Sequence, residues 1–468
     1  MKTTGKSRRF AAALISAAML AGGASAIAGP AVAVSASDGP RVSQAAARAV
    51  VLGMLHHRGA ISWQVLTRDA GAPGVARSVP KPGDSSQLEG VFCTAFVNCW
   101  AVGSYDSGEA TLNQVLHWNG KKWTRVSVPN PAGTGMGDDN ELFAVRCTKP
   151  SNCWAVGRRD KPNGPQLDQA LHWNGKTWSK VSTPTPGGTL KVDFNELFEV
   201  TCTSVSNCWA AGDYGSELGL GHQVDLNQAL HWNGKRWAQA STPNPAGTSD
   251  NDVQALDSVR CSSASNCWAV GAYGSLTMPE HAATLALHWN GKKWAKVTTP
   301  SPAGTAGGDI NELIGVSCTA ASNCWAVGDD GTITTTAITL VTLAEHWNGK
   351  KWATAAVPSP GGTGSGAISE LSTVSCTNTT NCWAVGEYVH AISSTEQDTL
   401  NLAVRWTGKK WVKGTTPNPG GTADGDASEL FGVRCTSTTR CWAVGFADST
   451  GSEFNQALRW NGTKWASG

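Results

Sequence analysis

Leu142-Phe143-Ala144-Val145-Arg146-Cys147, five residues, Cys153-Trp154-Ala155-Val156-Gly157, and then Gln169-Ala170-Leu171-His172-Trp173-Asn174-Gly175-Lys176-Thr177-Trp178 form the stretch that decides the fold. Leu142 to Cys147 alternates toward a buried face, Cys153 to Gly157 is short and apolar, and both read as strands. Asn174-Gly175 between two tryptophans is a hairpin signal, because a two-residue type I′ turn needs positive φ at both positions. In that register Leu171, Trp173 and Trp178 share a face, with the two tryptophans diagonally opposed.

The same stretch recurs along the chain. The first cysteines of the pairs stand at Cys93, Cys147, Cys202, Cys261, Cys318, Cys376 and Cys435, at intervals of 54, 55, 59, 57, 58 and 59 residues. All 14 cysteines and 21 of the 22 tryptophans fall at matched positions, which leaves only Trp63 outside. A repeat of this length indicates a solenoid, propeller or array. Four strands per copy, here A to D, give a small antiparallel sheet, and sheets packed face to face around an axis bury the repeated tryptophans. The expected fold is therefore all-β, a closed seven-bladed propeller over residues 75–468, with copies starting near Leu88, Leu142, Leu197, Leu256, Leu313, Leu371 and Leu430. The last copy stops at Trp465-Ala466-Ser467-Gly468, whereas Arg77-Ser78-Val79-Pro80-Lys81-Pro82 matches Arg125-Val126-Ser127-Val128-Pro129-Asn130-Pro131 in type. Residues 75–82 are thus expected to complete the last blade. An open solenoid would need polar caps, and none is visible.

These motifs resemble a group of secreted multi-repeat proteins of actinobacteria that carry Cys-Trp-Ala-Val-Gly and His-Trp-Asn-Gly-x-x-Trp repeats. The resemblance covers residues 88–468 and implies export and a propeller, without an activity. A more distant resemblance to Asp-box and kelch-type propellers rests on turns such as Trp118-Asn119-Gly120-Lys121-Lys122-Trp123. That turn departs from the sialidase Asp box, since Asn replaces Asp and Gly comes one residue early.

Each cysteine pair brackets five residues, which places the two at adjoining ends of strands A and B. Antiparallel partners lie about 4.5–5.5 Å apart at Cα, within reach of a disulfide. The expected bridges are Cys93–Cys99, Cys147–Cys153, Cys202–Cys208, Cys261–Cys267, Cys318–Cys324, Cys376–Cys382 and Cys435–Cys441. A metal site would want closer cysteine spacing and two further ligands. The repeated histidines His117, His172, His231, His288 and His346 become Arg405 and Arg459, which suits a hydrogen-bond donor and not a ligand, so no metal or other cofactor is expected.

Charged residues make up 15% of the chain and the net charge is +2, against about 25% charged in ordinary globular proteins. No global field marks a nucleic-acid binder. Residues 1–36 read as a secretory signal, with Lys2, Lys6, Arg8 and Arg9 ahead of an apolar run and small-residue cleavage patterns between Ala24 and Ala36. Gly22, Gly23, Gly29 and Pro30 break that run well short of the roughly 20 residues a membrane span needs, so no membrane association is expected after cleavage. Residues 37–74 form an N-terminal segment and linker, with Gln44 to His57 Ala-rich enough for one helix.

Function is expected where the copies differ. From the tryptophan of Cys-Trp to that of Trp-Asn-Gly the spans are 18, 19, 23, 21, 22, 23 and 18 residues, so the insertions concentrate in the B–C loop. In a four-stranded blade the B–C loops and D–A connections emerge on one face, and variable loops on a rigid scaffold carry specificity. One matched position at the start of that loop holds Tyr105, Arg159, Tyr214, Tyr273, Asp330 and Tyr388, a candidate ligand-binding ring; packing against the next blade is the other reading. The D–A connection carries Asp138-x-Asn140-Glu141, Asp193-x-Asn195-Glu196, Asp309-x-Asn311-Glu312 and Asp426-x-Ser428-Glu429, with weaker forms at Asp252 and Glu370. Side-chain turn closure is their first reading, with cation binding or acid–base chemistry as alternatives. A sialidase-like enzyme would want three convergent arginines. Arg146, Arg260 and Arg434 share one position, but Phe92, Thr201, Ser317 and Ser375 fill the other copies, which reads as a solvated face. No residue takes a catalytic role from the sequence, and no Gly-x-Ser-x-Gly, His-Glu-x-x-His or phosphate loop is present. The expectation is a secreted, monomeric, non-catalytic scaffold for a glycan, cell-wall or protein ligand; a carbohydrate-active hydrolase or lyase is the alternative.

Overall fold

In the second copy, strand A (Asp139–Lys149) pairs with strand B (Asn152–Asp160), B with C (Leu167–Trp173), and C with D (Trp178–Val181), all antiparallel. The computed structural model describes residues 85–468 except 220–221, 278, 335–336, 393–396 and 450–451. The expected signal, the Gln44–His57 helix and the closing segment 75–82 lie outside the described residues. Within them there are 28 strands and no helix, and the strands fall into consecutive antiparallel groups of four, the blades of a β-propeller. The first and second groups, and the sixth and seventh, are joined by single parallel bridges, Thr111 to Asp139 and Thr399 to Ala427.

Strand A does not alternate through its whole length. Leu142 pairs with Gly157 and Ala144 with Val156, so Phe143 is an extra residue in a β-bulge. The bulge lets Leu142 and Val145, three residues apart, both pack into the core at 0% and 4% exposure. It also presses the Glu141 carbonyl onto strand B, where a Cβ on Gly157 would lie 1.9 Å from that oxygen. The matched Gly103, Gly212, Gly271, Gly328, Gly386 and Gly445 meet the same obstruction at 1.9–2.1 Å. This close approach is why every Cys-Trp-Ala-x-Gly ends in glycine.

The C–D hairpin corrects the type I′ expectation. Trp173 pairs directly with Trp178, so four residues form the loop and the tryptophans face each other with ring centroids 5.8 Å apart. Only Gly175 takes a positive φ, of 95°. Asn174 instead closes the loop with its side chain, whose Oδ1 accepts from the Lys176 and Thr177 amides at 2.9 and 3.0 Å.

All seven cysteine pairs are disulfides within their own copies. Their Cα atoms lie 3.9–4.0 Å apart, closer than expected. Each pair sits at the mouth of a hairpin beside a second register shift, which draws the strands together.

Tryptophans make the contacts between blades. Trp154 of strand B in the second copy lies 4.7 Å from Trp232 and 5.1 Å from Trp237 of the third, the latter edge-on. Trp100, Trp209, Trp268, Trp325 and Trp383 repeat this triad with the blade that follows each. Trp442 of the last copy makes it with Trp118 and Trp123 of the first, at 4.9 and 5.2 Å. Ser85 also hydrogen-bonds Glu453 of the last copy.

Candidate functional site

The B–C loop and D–A connection do share a face. Thr111, at the start of strand C in the first copy, donates its amide to the Asp138 carbonyl at 3.0 Å, and Gly137 donates to Glu109 at 2.7 Å. The opposite face carries the A–B and C–D loops, which touch where Gly175 approaches Ser151.

Tyr105, Arg159, Tyr214, Tyr273, Asp330 and Tyr388 all stand half-buried within strand B and not at the start of the loop: Tyr214 pairs with Leu226 and Tyr388 with Leu400 of strand C, and the hairpins run on beyond them. Three of the tyrosine rings are covered by a cation from strand D of their own blade: Arg125 over Tyr105 at 4.3 Å, Lys296 over Tyr273 at 3.8 Å and Lys413 over Tyr388 at 4.1 Å. Tyr273 and Tyr388 also pack on inter-blade cores. Burial lowers the Arg159 pKa and raises the Asp330 carboxyl to about 6.

The acidic motifs of the D–A connections are committed to the backbone. Asp138, Asp193, Asp252, Asp309 and Asp426 each accept, through one carboxylate oxygen, the amide three residues earlier at 2.7–2.9 Å. Two residues on, Asn140, Asn195 and Asn311 accept the amides of Ala132, Gly187 and Ala303 at 2.8–2.9 Å, and Gln254, Ser369 and Ser428 do the same in their copies. Glu141 and Glu196 both pair with the buried Arg158 at 3.1 Å. Turn closure is thus what the repeated aspartates and the side chains two residues on do, whereas the glutamates that follow, Glu141 and Glu196, do not take part in it. Among the described residues no group of three His, Cys, Asp or Glu could hold a metal ion, and no helix is long and apolar enough to cross a membrane.

Further carboxylates are buried at the fifth and sixth copies, among them Glu370 at the position matched to Glu141. Burial holds Asp329 well above the usual range, with Glu370, Asp330 and Asp257 adding repulsion, and lifts Glu370 to about 7. Glu345 is 0% exposed, neither of its oxygens has a partner, and burial followed by repulsion from Asp330 pushes it up to about 8.

On the A–B/C–D face, the imidazoles of His117, His172, His231, His288 and His346 bond Asn98, Asn152, Asn207, Asn266 and Asn323 at 2.5–2.8 Å. Burial lowers the pKa of each, so each is neutral at pH 7 and donates to the amide oxygen. Arg405 donates to Asn381 in the same way at 2.9 Å. The last copy departs from the expectation of one bond for all: Arg440 replaces the asparagine, and Arg459 stacks over Phe96 at 4.7 Å instead.

Arg146, Arg260 and Arg434 are half-buried, and the face they share turns inward. They line a cavity of about 40 Å³ to which strand A of every copy contributes. Sequence alternation showed that these arginines share a face but not that the seven such faces meet one another.

No family profile and no curated protein matches this sequence. Among solved structures it is similar to the β-propeller domain of the Trilobed protease from Pyrococcus furiosus, with a TM-score of 0.45 at 7% identity over 82% of this chain and 97% of that one. It is also similar to the α-L-arabinofuranosidase Arb93A of Fusarium graminearum, at 0.38 and 11% over 67% and 91%, and to the α-L-arabinanase of Penicillium chrysogenum, at 0.36 and 12% over 66% and 90%.

Proposed function

We propose that the protein is an exported, closed seven-bladed β-propeller that serves as a non-catalytic binding scaffold, with its ligand face formed by the B–C loops and D–A connections. The observation that carries the non-catalytic reading is the commitment of the D–A aspartates to turn amides in one copy after another. A glycosidase site needs one asymmetric pair of free carboxyl groups. Repeated, hydrogen-bonded side chains instead make a stiff rim from which loops of different length project. Met136, Leu190 and Val192 are exposed on D–A connections at 59%, 69% and 38%. They give that rim apolar contact area for a glycan, cell-wall or protein ligand.

Ring closure is supported by the Trp442–Trp118–Trp123 triad and by the Ser85–Glu453 bond. Asn113, Asn227 and Asn401 each hold a proline carbonyl of their own D–A connection at 2.7–2.8 Å. Asn455 occupies that position in the last blade, 5% exposed, and residues 75–82 would supply the matching proline segment. The disulfides fit an oxidising compartment, in keeping with removal of residues 1–36 on export.

The test is an array of glycans, peptidoglycan fragments and peptides probed with the mature protein and with a variant whose third B–C loop (215–224) is cut to the length of the first. Captured ligands should be lost or changed by the loop variant and kept by a C–D variant such as Lys121→Ser. Equal loss in both variants would refute the assignment of the face.

A further inference from the structure

Strand A of each blade offers two successive axis-facing positions next to its cysteine. The outer one, directly before the cysteine, carries Phe92, Arg146, Thr201, Arg260, Ser317, Ser375 and Arg434. The inner one, two residues earlier, carries Gly90, Ala144, Glu199, Ser258, Gly315, Thr373 and Gly432, all small except Glu199. A ring of mostly small side chains behind a ring with three arginines leaves the polar cavity of about 40 Å³, room for a water or two or one small oxyanion headgroup.

Two of the guanidiniums, those of Arg146 and Arg434, are held in place by a ring. Arg146 and Arg434, from the blades on either side of Phe92, stack on its ring at 4.4 and 4.5 Å. The Nε atoms of both are buried and have no hydrogen-bond partner. Arg260 reaches the Val316 carbonyl at 3.5 Å. Burial, and then repulsion from Arg260 and Arg434, pulls the Arg146 pKa well down, with Glu199 opposing; burial and Arg260 bring Arg434 to about 10. Glu199 and Glu89 also line the cavity. Ser317 and Ser375 accept the Cys376 and Cys435 amides at 3.1 and 3.0 Å, which leaves each hydroxyl proton free to be donated inward.

We propose that this axial cavity, at the A–B/C–D end of the ring, binds a small oxyanion through Arg146 and Arg434, with Ser317 and Ser375 as additional donors. The ligand class is a phosphoryl or carboxylate headgroup, since planar forked donors match both. The site lies away from the B–C/D–A face, so either assignment can fail without the other.

The experiment is thermal unfolding of the mature, disulfide-intact protein at pH 7 in sodium phosphate, methyl phosphate or acetate, against sodium chloride at matched ionic strength. A melting temperature that rises and saturates with one of the oxyanions, and not with chloride, is expected; the anion giving the larger shift identifies phosphoryl or carboxylate. The Arg146→Gln/Arg434→Gln double variant should lose that shift. It should still unfold cooperatively in chloride, so that the lost shift is read on a folded protein. Calorimetric titration of phosphate and of acetate into the wild-type protein supplies a readout independent of variant folding, with one saturable site per chain expected from at least one of them. A shift matched by chloride, a shift retained in the double variant, or no saturable heat from either anion overturns the proposal.

Discussion

Replacing Glu345 by leucine should stabilise the protein, and by an amount that grows with pH. The matched positions hold Leu116, Leu171, Leu230, Leu287, Val404 and Leu458, each 0% exposed and part of an inter-blade core. Only the fifth blade puts a carboxyl there, with both oxygens unpartnered. Its folded pKa of about 8 lies above the model-peptide 4.5, so the folded protein keeps a proton that the unfolded chain releases. Stability therefore falls as pH rises between those values. At 1.36 kcal/mol per unit the penalty is under 1 kcal/mol at pH 5, about 3 kcal/mol at pH 7 and roughly 4 kcal/mol at pH 8. Guanidinium unfolding with disulfides intact, at pH 5 and pH 8, measures the difference between Glu345→Leu and wild type. The gap should widen by roughly 3 kcal/mol from the lower to the higher pH, and Glu345→Gln should show the same widening from a less stable starting point. A gap that does not change with pH, or a leucine variant less stable than wild type at pH 8, would refute the reasoning.

Gly157→Ala should destabilise by about 1–3 kcal/mol through overpacking against the Glu141 carbonyl, while Gly164→Ala, in an open loop, should change the unfolding midpoint little. Trp154→Ala removes a fully buried ring from an inter-blade triad and should cost about 3–5 kcal/mol, read by thermal or denaturant unfolding. The five imidazoles lowered by burial bind protons more readily in the unfolded chain, so their contribution is present above pH 6.5 and lost below it. His172→Arg, which copies the Arg405–Asn381 bond, should weaken that acid-side loss, and pH-dependent melting curves identical to wild type would contradict it. A chain starting at Leu88 should melt lower than the mature protein and tend to associate through the exposed edge of the last blade; unchanged melting as a monomer would refute closure by residues 75–82.

Much of the fold could be read from sequence because each blade repeats the same physical problem. Tryptophan and cysteine at matched positions gave the blade, the pairing and the inter-blade contacts. Two local readings needed the structure. Leu142 and Val145 look like a broken alternation until the bulge at Phe143 is seen, and Trp173-Asn174-Gly175 looks like a tight type I′ turn until Asn174 closes a longer one with its side chain. The candidate ring was legible as a position but not as an environment, since nothing local to Tyr105, Tyr273 or Tyr388 shows that Arg125, Lys296 or Lys413 covers the ring. The axial arginines were hidden for the same reason. Arg146, Arg260 and Arg434 are separated by more than a hundred residues in each step, and only the convergence of strands from every blade brings them to one cavity.

The central claim is that this propeller binds without turnover, and mass spectrometry of ligands recovered from the mature protein tests it most directly. Glycans, peptidoglycan fragments and peptides captured by the protein should be released with their masses unchanged after prolonged incubation. Cleaved product that disappears when a single carboxylate such as Asp330, Glu345 or Glu370 is replaced by its amide would contradict the account.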